Sequence, residues 1–451
     1  MLGDNFLYRP VRILIGFIEI AGYHGALERG FRQLGHTCNF YEFRAHPFGY
    51  ANRKRPLLSR TIIQLLELRK RYDSGFVGVP ITIARLLVQL LFFLYASMRY
   101  EVFIFGFGST FFTPITPSLE RLRYFGARFL VRIGKRVIFL MQGSDARPPF
   151  MDGTYQNLPV EEIVALNRAK KRDIQTLEAT GATVVCDRAI SAYFTRPVVD
   201  RSFILCPVNT ANAHRSTPPA KQKKAKGRRT ITILHAPSAP ELKGSDRIRE
   251  VIQRIRIPGI RLEFTEIRNK TNQEVMAAIS DCDIVIDQLY SDIVLPVFPT
   301  EAGWLGKPAV IGIYDKRFVF AGIPAEEIPP AWYIDPENLE TELKRILRLS
   351  AGAIAKRGEA MQRFVARKAT DVHVAQKFTK IINKATPPEW YYNPEQYSYI
   401  NGCVIREQKL YSIIGSIAHK YSLAALFMND KKDYIARLKA AGIYSDIHET
   451  R

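Results

Sequence analysis

Twelve residues, His235-Ala236-Pro237-Ser238-Ala239-Pro240-Glu241-Leu242-Lys243-Gly244-Ser245-Asp246, follow a strand-like run and precede a helical one. Ligands of open parallel sheets sit beyond the carboxyl ends of the strands, so a loop in this position occupies ligand ground. Lys243-Gly244 just ahead of a helix offers an ammonium and free amide N–H groups to a phosphate, and His235 and Ser238 add polar groups to the same stretch. A second stretch stands in register with it. Asp287-Gln288-Leu289-Tyr290 closes a strand, and Pro299-Thr300-Glu301-Ala302-Gly303-Trp304-Leu305-Gly306-Lys307-Pro308-Ala309-Val310 follows. The pattern predicts a short helix over Thr300–Leu305, with Glu301 in its first turn and the N–H groups around Thr300 at its amino end. A carboxylate there can accept both hydroxyls of a ribose, while Lys243 and the amides hold a diphosphate. Gln288 is the third polar side chain of the set. On an ordinary surface the same glutamate merely complements the helix dipole.

The elements that position these loops are legible as alternation. Strand-like runs at Val11–Phe17, Cys38–Phe43, Val102–Gly106, Arg136–Met141, Thr183–Cys186 and Phe203–Cys206 alternate with helical patterns, which predicts a parallel sheet covered on both faces. His24–Leu34 reads as a helix, entered through Gly22 and Gly25 and closed by Gly35. Thr210–Arg229, with its run Lys221-Gln222-Lys223-Lys224-Ala225-Lys226, has little to bury and reads as a basic linker. The alternation then restarts: strands Thr230–His235, Arg261–Glu266, Asp283–Leu289 and Ala309–Ile313, with helices Asp246–Ile255, Asn272–Ser280 and Glu337–Leu349. The expected divisions are a first domain over 1–209, the linker over 210–229, a second domain over 230–370, and an extension over 371–451. A long helical region, Ala353 to Lys384, runs from the second domain into that extension, which ends in a tyrosine-rich tail.

The chain has 451 residues and a formal net charge of +22, from 65 Lys+Arg against 43 Asp+Glu. Such a field attracts polyanions or anionic lipid. Zinc-finger spacing and an aromatic RNA-binding signature are both missing, which sets nucleic acid aside. The five cysteines are odd in number and contain no CxxC pair, so neither a disulfide framework nor a zinc site is expected, and a reducing cytoplasm fits. No secretory leader is read ahead of Val11. The apolar stretch Phe76–Met98 is interrupted by Pro80, Arg85 and Gln89 and predicts a buried helix, with an interfacial helix as the other reading. Residues 52–72 mix Lys and Arg with Leu57, Ile62, Leu65 and Leu66 at helical spacing, as a helix on anionic lipid would.

The two loops resemble the donor-site signature of the retaining glycosyltransferases of family 4, a Lys-Gly loop followed by Glu-Ala-x-x-x-Gly-x-Pro-x-Val/Ile. The likeness runs from about Ile231 to Ile313. It implies an α/β GT-B fold, with two Rossmann-like doubly wound domains facing a cleft, plus a C-terminal helical extension. It also implies a nucleotide-diphosphate sugar as co-substrate, no further cofactor, and a glycan or lipid-linked acceptor. Glu301 would hold the donor ribose, Lys243 and Gly244 the diphosphate, and Thr300 the phosphate oxygens. Gly22, His24 and Gly25 would form the acceptor-side phosphate loop, and Gln142, Ser144 and Asp145 would face the transferred sugar, with Asp145 counted beside Lys243 and Glu301 as catalytic. Asp281-Cys282-Asp283 falls at a strand start, the wrong end of a sheet for Mg²⁺, so metal independence is expected. The sequence departs from the pattern where Ile293 replaces an earlier glutamate and Glu241 stands near the place of an arginine. These departures support a second reading, a binding or scaffold protein that keeps the shell without catalysis.

Overall fold

The computed structural model describes residues 9–44, 56–72, 78–112, 122–208, 210, 224–225, 228–291 and 293–443. Most of the basic linker, and residues 52–55 of the basic stretch 52–72, lie outside them. In chain order the strands are β1 (Arg12–Ile18), β2 (Thr37–Arg44), β3 (Val102–Gly106), β4 (Arg136–Leu140), β5 (Thr183–Cys186), β6 (Val198–Asp200), β7 (Lys224–Ala225), β8 (Arg228–His235), β9 (Ile260–Glu266), β10 (Ile284–Ile286), β11 (Ala309–Gly312), β12 (Trp332–Ile334) and β13 (Tyr391–Tyr392). The helices of the first third are α1 (Tyr23–Gln33), α2 (Leu57–Arg71), α3 (Gly78–Arg99) and α4 (Phe125–Arg132). Then come α5 (Val160–Glu178), α6 (Pro240–Lys243), α7 (Ser245–Arg254), α8 (Asn272–Asp281), α9 (Val297–Trp304) and α10 (Lys316–Val319). The last are α11 (Leu339–Leu347), α12 (Ala351–Lys368), α13 (Asp371–Ile382), α14 (Glu407–Tyr421) and α15 (Lys432–Ala440).

Two compact units result, each discontinuous in sequence. One comprises Met1–Met141, Ala179–Val184 and Asp371–Thr386; the other comprises Gln142–Glu178, Val185–Thr370 and Pro387–Arg451. The first unit carries parallel strands in the order β2-β1-β3-β4, with Ile15 opposite Phe40 and Ile104, and Phe105 opposite Phe139. The apolar runs of β1, β3 and β4 bury both faces, as inner strands of a covered parallel sheet must. Helix α13 lies against α1 at Gly30, where an added Cβ would fall 2.1 Å from the Asp371 carbonyl oxygen.

The second unit carries β12-β11-β10-β8, all parallel, with β9 also parallel to β8. Ile231, Ile233, Ile284, Ile286 and Val310 pack there against Ile248 and Val251 of α7 and Leu343 and Ile346 of α11. The chain after Pro387 belongs to this unit, as do Gln142–Glu178 and Val185–Thr370, whereas the expected linear division falls at residue 209. Tyr397 donates to the Ala189 carbonyl (2.8 Å), Cys403 N to Met151 O (3.0 Å), and Val404 N to Tyr290 O (3.0 Å). The tail thus bonds to Met151 and Ala189 and, at Tyr290, to the chain that follows β10, while its β13 pairs antiparallel with β6. Both units are parallel α/β sheets of Rossmann type with covering helices.

Three expectations change. Phe203–Cys206 is not a strand: the strand ends at Asp200, whose carboxylate accepts the Ser202 N–H (2.9 Å) and turns the chain into a short 3₁₀ helix. The helical region 353–384 is broken after Lys368, where the Ala369 carbonyl accepts from Val208 N (2.8 Å). Helix α3 forms, but as a half-buried element: Phe92, Phe93 and Ala96 face inward while Leu87, Leu91 and Met98 stand exposed.

Candidate functional site

Strand β8 delivers the chain to the first loop, and Pro237 and Pro240 keep it from extending. One helical turn, α6, ends at Gly244 with φ +73°, where an added Cβ would meet Leu289 Cβ at 2.9 Å. Only glycine satisfies both the left-handed backbone and that approach. Leu289 N donates to the Lys243 carbonyl (2.9 Å), so the loop is fastened to the chain leaving β10. The Lys243 ammonium stands 3.6 Å from Asp287 Oδ1 and remains about one-fifth exposed. Asp287 is buried, and its Oδ2 has no partner among the described residues.

Glu301 is buried on α9. Burial pushes its carboxyl up to about 7; the Asn272 hydrogen bond opposes the shift and the nearby charge of Asp287 adds to it. Asn272 Nδ2 donates to Glu301 Oε1 at 2.7 Å. Asn272 opens α8, whose entry is fixed by a Thr271–Glu274 capping box. Lys243, Asp287, Glu301 and Asn272 are therefore linked: Asp287 contacts the ammonium and acts on the glutamate, and Asn272 holds the glutamate. Asn272 and Asp287 were not among the expected site residues. Asp287 carries a faint signal, as a carboxylate at a strand's carboxyl end, whereas Asn272 reads as an ordinary helix start. A cavity of about 190 Å³ adjoins the loop, lined among others by Gly244, Arg247, Tyr290 and Arg406. Arg406 comes from the tail, which no local pattern could have placed there.

Several expected ligand groups are otherwise engaged. Helix α9 begins at Val297, so Thr300 is not at its amino end. Thr300 N and Oγ1 both donate to the Pro296 carbonyl (3.1 and 2.8 Å), and Glu301 lies in the second turn. The amides left without an intrahelical acceptor are those of Val297 and Phe298, since Pro299 has none. His235 is a buried strut: its ring nitrogens meet the Ile286 carbonyl and the Ser245 hydroxyl, each at 2.8 Å, and burial lowers its pKa. Gln288 is also buried and donates to Ser291 Oγ at 2.7 Å. Ser238 is exposed at a bend. Asp283 accepts the Thr232 N–H (2.8 Å), a structural task at the start of β10. Among the described residues no group of three or more His, Cys, Asp or Glu is placed to hold a metal ion.

The backbone N–H groups of the loops expected on the acceptor side are met by the chain's own carboxylates. Asp145 is buried, and burial raises its pKa; its Oδ1 accepts the N–H groups of Gln142 (3.0 Å) and Gly143 (2.7 Å). Lys170 Nζ holds the carbonyls of Ser144 and Asp145 at 2.9 and 3.2 Å. Asp145 thus closes its own turn, while the buried Gln142 Oε1 has no partner among the described residues. In the first unit, Gly22 takes φ +78° at the entry of α1. There the anion is the chain's own: the Glu19 carboxylate, 2% exposed, accepts the N–H groups of Ile20 (2.9 Å), His24 (3.0 Å) and Gly25 (3.0 Å). The positive end of a helix attracts a carboxylate as readily as a phosphate, and this one is covalently present. His24 is fully buried with its Nδ1 3.6 Å from Glu19, in space that Gly106 leaves open.

No protein-family model and no curated protein matches the chain in sequence. Solved structures do resemble it. The glycotransferase of kitacinnamycin is 13% identical, with 84% of this chain and all of that one covered and a TM-score of 0.38. Alr3699/HepE of Anabaena, solved with UDP and glucose, is 9% identical over 83% of this chain and 99% of its own, with a TM-score of 0.45. The N-terminal domain of trehalose-6-phosphate phosphatase from Candida albicans is 10% identical over 85% and 99%, with a TM-score of 0.44.

Proposed function

We propose that this chain is a GT-B glycosyltransferase, similar to family 4, that moves a hexosyl group from a nucleotide-diphosphate sugar to a glycan or lipid-linked acceptor. In this reading transfer retains anomeric configuration, needs no metal, and takes place at the cytoplasmic face of a membrane during synthesis of a cell-surface polysaccharide or glycoconjugate. The observation that carries the reading is the linked set Lys243, Asp287, Glu301 and Asn272, gathered where β8 and β10 end. Departure of a nucleoside diphosphate leaves negative charge on phosphate oxygen as the sugar takes on oxocarbenium character. A fixed ammonium aimed at that charge is worth roughly 3 kcal/mol, by analogy with oxyanion-hole donors. Lys243 supplies it, and Glu301, once ionised, accepts from the ribose hydroxyls.

The test is calorimetry with UDP-, GDP- and ADP-sugars, followed by turnover with and without chelator. Lys243→Ala and Glu301→Ala should each lower turnover at least a hundredfold while the melting curve stays cooperative. Near-normal turnover in either variant would refute the assignment. A second reading, a binding protein without catalysis, is favoured by Glu19 occupying the first loop and by Asp145 closing its own turn. Nucleotide binding without turnover across acceptors would select it.

A further inference from the structure

Helix α3 buries Arg85 and Gln89 beside Phe92, Phe93 and Ala96 and turns an apolar face outward. Val79, Ile83, Leu87, Leu90, Leu91, Leu94 and Met98 recur at helical spacing along its outer face, and Leu91 and Met98 are 66% and 75% exposed. Arg85 and Gln89, one turn apart on the inner face, are 4% and 1% exposed. Nε and Nη2 of Arg85, and both amide atoms of Gln89, have no hydrogen-bond partner among the described residues. The outer leucines gain nothing from water, and burying unpaired guanidinium nitrogens on the other side is costly, so water alone does not account for how this helix is presented. The apolar face continues onto α4, where Phe125, Phe129 and Ile133 are exposed and the Phe129 ring meets Phe93 of α3 at 5.7 Å.

We infer that the outer faces of α3 and α4 bed in the boundary between headgroups and acyl chains of an anionic phospholipid bilayer, with α3 lying in the plane of the surface. Charge selects this occupant. Residues 51–136 hold 15 Lys and Arg against four Asp and Glu, so their net +11 is half of the whole chain's +22. Arg128 and Arg132 stand exposed beside the apolar face, placed for lipid phosphates. The 22 residues of α3 are long and apolar enough to cross a membrane. Crossing is excluded by the inner face. The Phe92 ring packs with Phe17, Phe43 and Phe111 at 6.2, 6.1 and 5.6 Å, and a transmembrane pose would strip those rings from the core of the first unit.

The inference rests on the peripheral-membrane part of the proposed function and is independent of sugar transfer. The experiment is cosedimentation of the full chain with phosphatidylglycerol/phosphatidylcholine vesicles and with phosphatidylcholine alone. Wild-type chain should bind the anionic vesicles. The triple variant Leu87→Gln/Leu91→Gln/Leu94→Gln should bind at least tenfold more weakly with an unchanged melting curve. Arg128→Gln/Arg132→Gln should lose only the preference for anionic lipid. As a second measurement, the emission that Leu91→Trp adds to the wild-type spectrum should be quenched in vesicles of lipid brominated on the acyl chain. Undiminished binding by the triple variant, or added emission that the bromolipid leaves unquenched, would overturn this assignment while leaving membrane association standing. Wild-type chain that binds no vesicle would end both. A dimer that the triple variant dissociates, in wild-type chain that ignores vesicles, would assign the face to a second copy.

Discussion

At the scale of single residues, the chemistry concentrates in Glu301. Its carboxyl titrates near 7 because burial disfavours the charged form more than the Asn272 hydrogen bond supports it. The unfolded chain ionises at an ordinary glutamate value, so between that pH and about 7 the native state holds the extra proton. Stability contributed by this site therefore falls as pH rises through that window and is level above it. Two consequences are measurable. Glu301→Gln should be more stable than wild type at pH 8, by on the order of 2–3 kcal/mol in denaturant unfolding, with the gain fading towards pH 5. Nucleotide binding, which in our reading uses the ionised form, should weaken as pH drops below 7 in wild type and show no such dependence in the variant. Asn272→Ala should move the binding transition to higher pH, since the hydrogen bond it removes holds the carboxyl down. An unshifted transition would mean that Asn272 does not position Glu301.

Between elements, glycines set the closest approaches. Helices α1 and α13 meet at Gly30, and β11 passes the chain leaving β10 at Gly312, where a Cβ would fall 1.6 Å from the Leu289 carbonyl oxygen. Neither position can yield by moving the end of a flexible side chain, because the obstacle is backbone. Gly30→Ala should cost at least about 1–3 kcal/mol, the range for overpacking, read as a drop in melting temperature. Hydrogen exchange should localise the damage, with amides of α1 and α13 exchanging faster while those of β8 and β10 keep their protection. Uniform acceleration across both sheets would contradict a contact confined to the first unit. Glu19 belongs to the same scale, since it satisfies three amides at the entry of α1 and fixes the angle at which β1 hands over to that helix.

For the whole molecule, the decisive feature is the tail. Tyr397, Tyr399 and Tyr434 are fully buried, Tyr193 donates to Leu426 O at 3.0 Å, and Lys431 donates to Phe194 O at 2.7 Å. Large buried aromatic rings dominate core energetics, so these residues are structural members of the second unit. A chain ending at Thr386 should lose the cooperative unfolding of that unit and expose apolar surface that binds a hydrophobic dye. If the truncated chain melted like the full one, the tail would be an appendage. Retention of nucleotide binding without the tail would likewise show that Arg406 and its cavity are dispensable.

The sequence by itself determined the local terms. Apolar alternation located most strands of both sheets, because a parallel strand covered on both faces must be written in Val, Ile, Leu and Phe. Gly244 and Gly22 were legible because a left-handed backbone before a helix has few alternatives. Lys243 and Glu301 stood out through residue type and position, and the structure brings them to a common neighbour in Asp287. Only the tertiary structure decided what depends on groups distant in sequence. Asn272 reaches Glu301 across 29 positions, and the tail bonds to Met151, Ala189 and Tyr290 from more than a hundred positions away. The start of α9 was misplaced by three residues because Pro296 and Thr300 can each open a helix, and the choice fell to packing. The outward leucines of α3 were hidden for the same reason: a helical pattern marks an apolar stripe, but what covers that stripe depends on the rest of the fold.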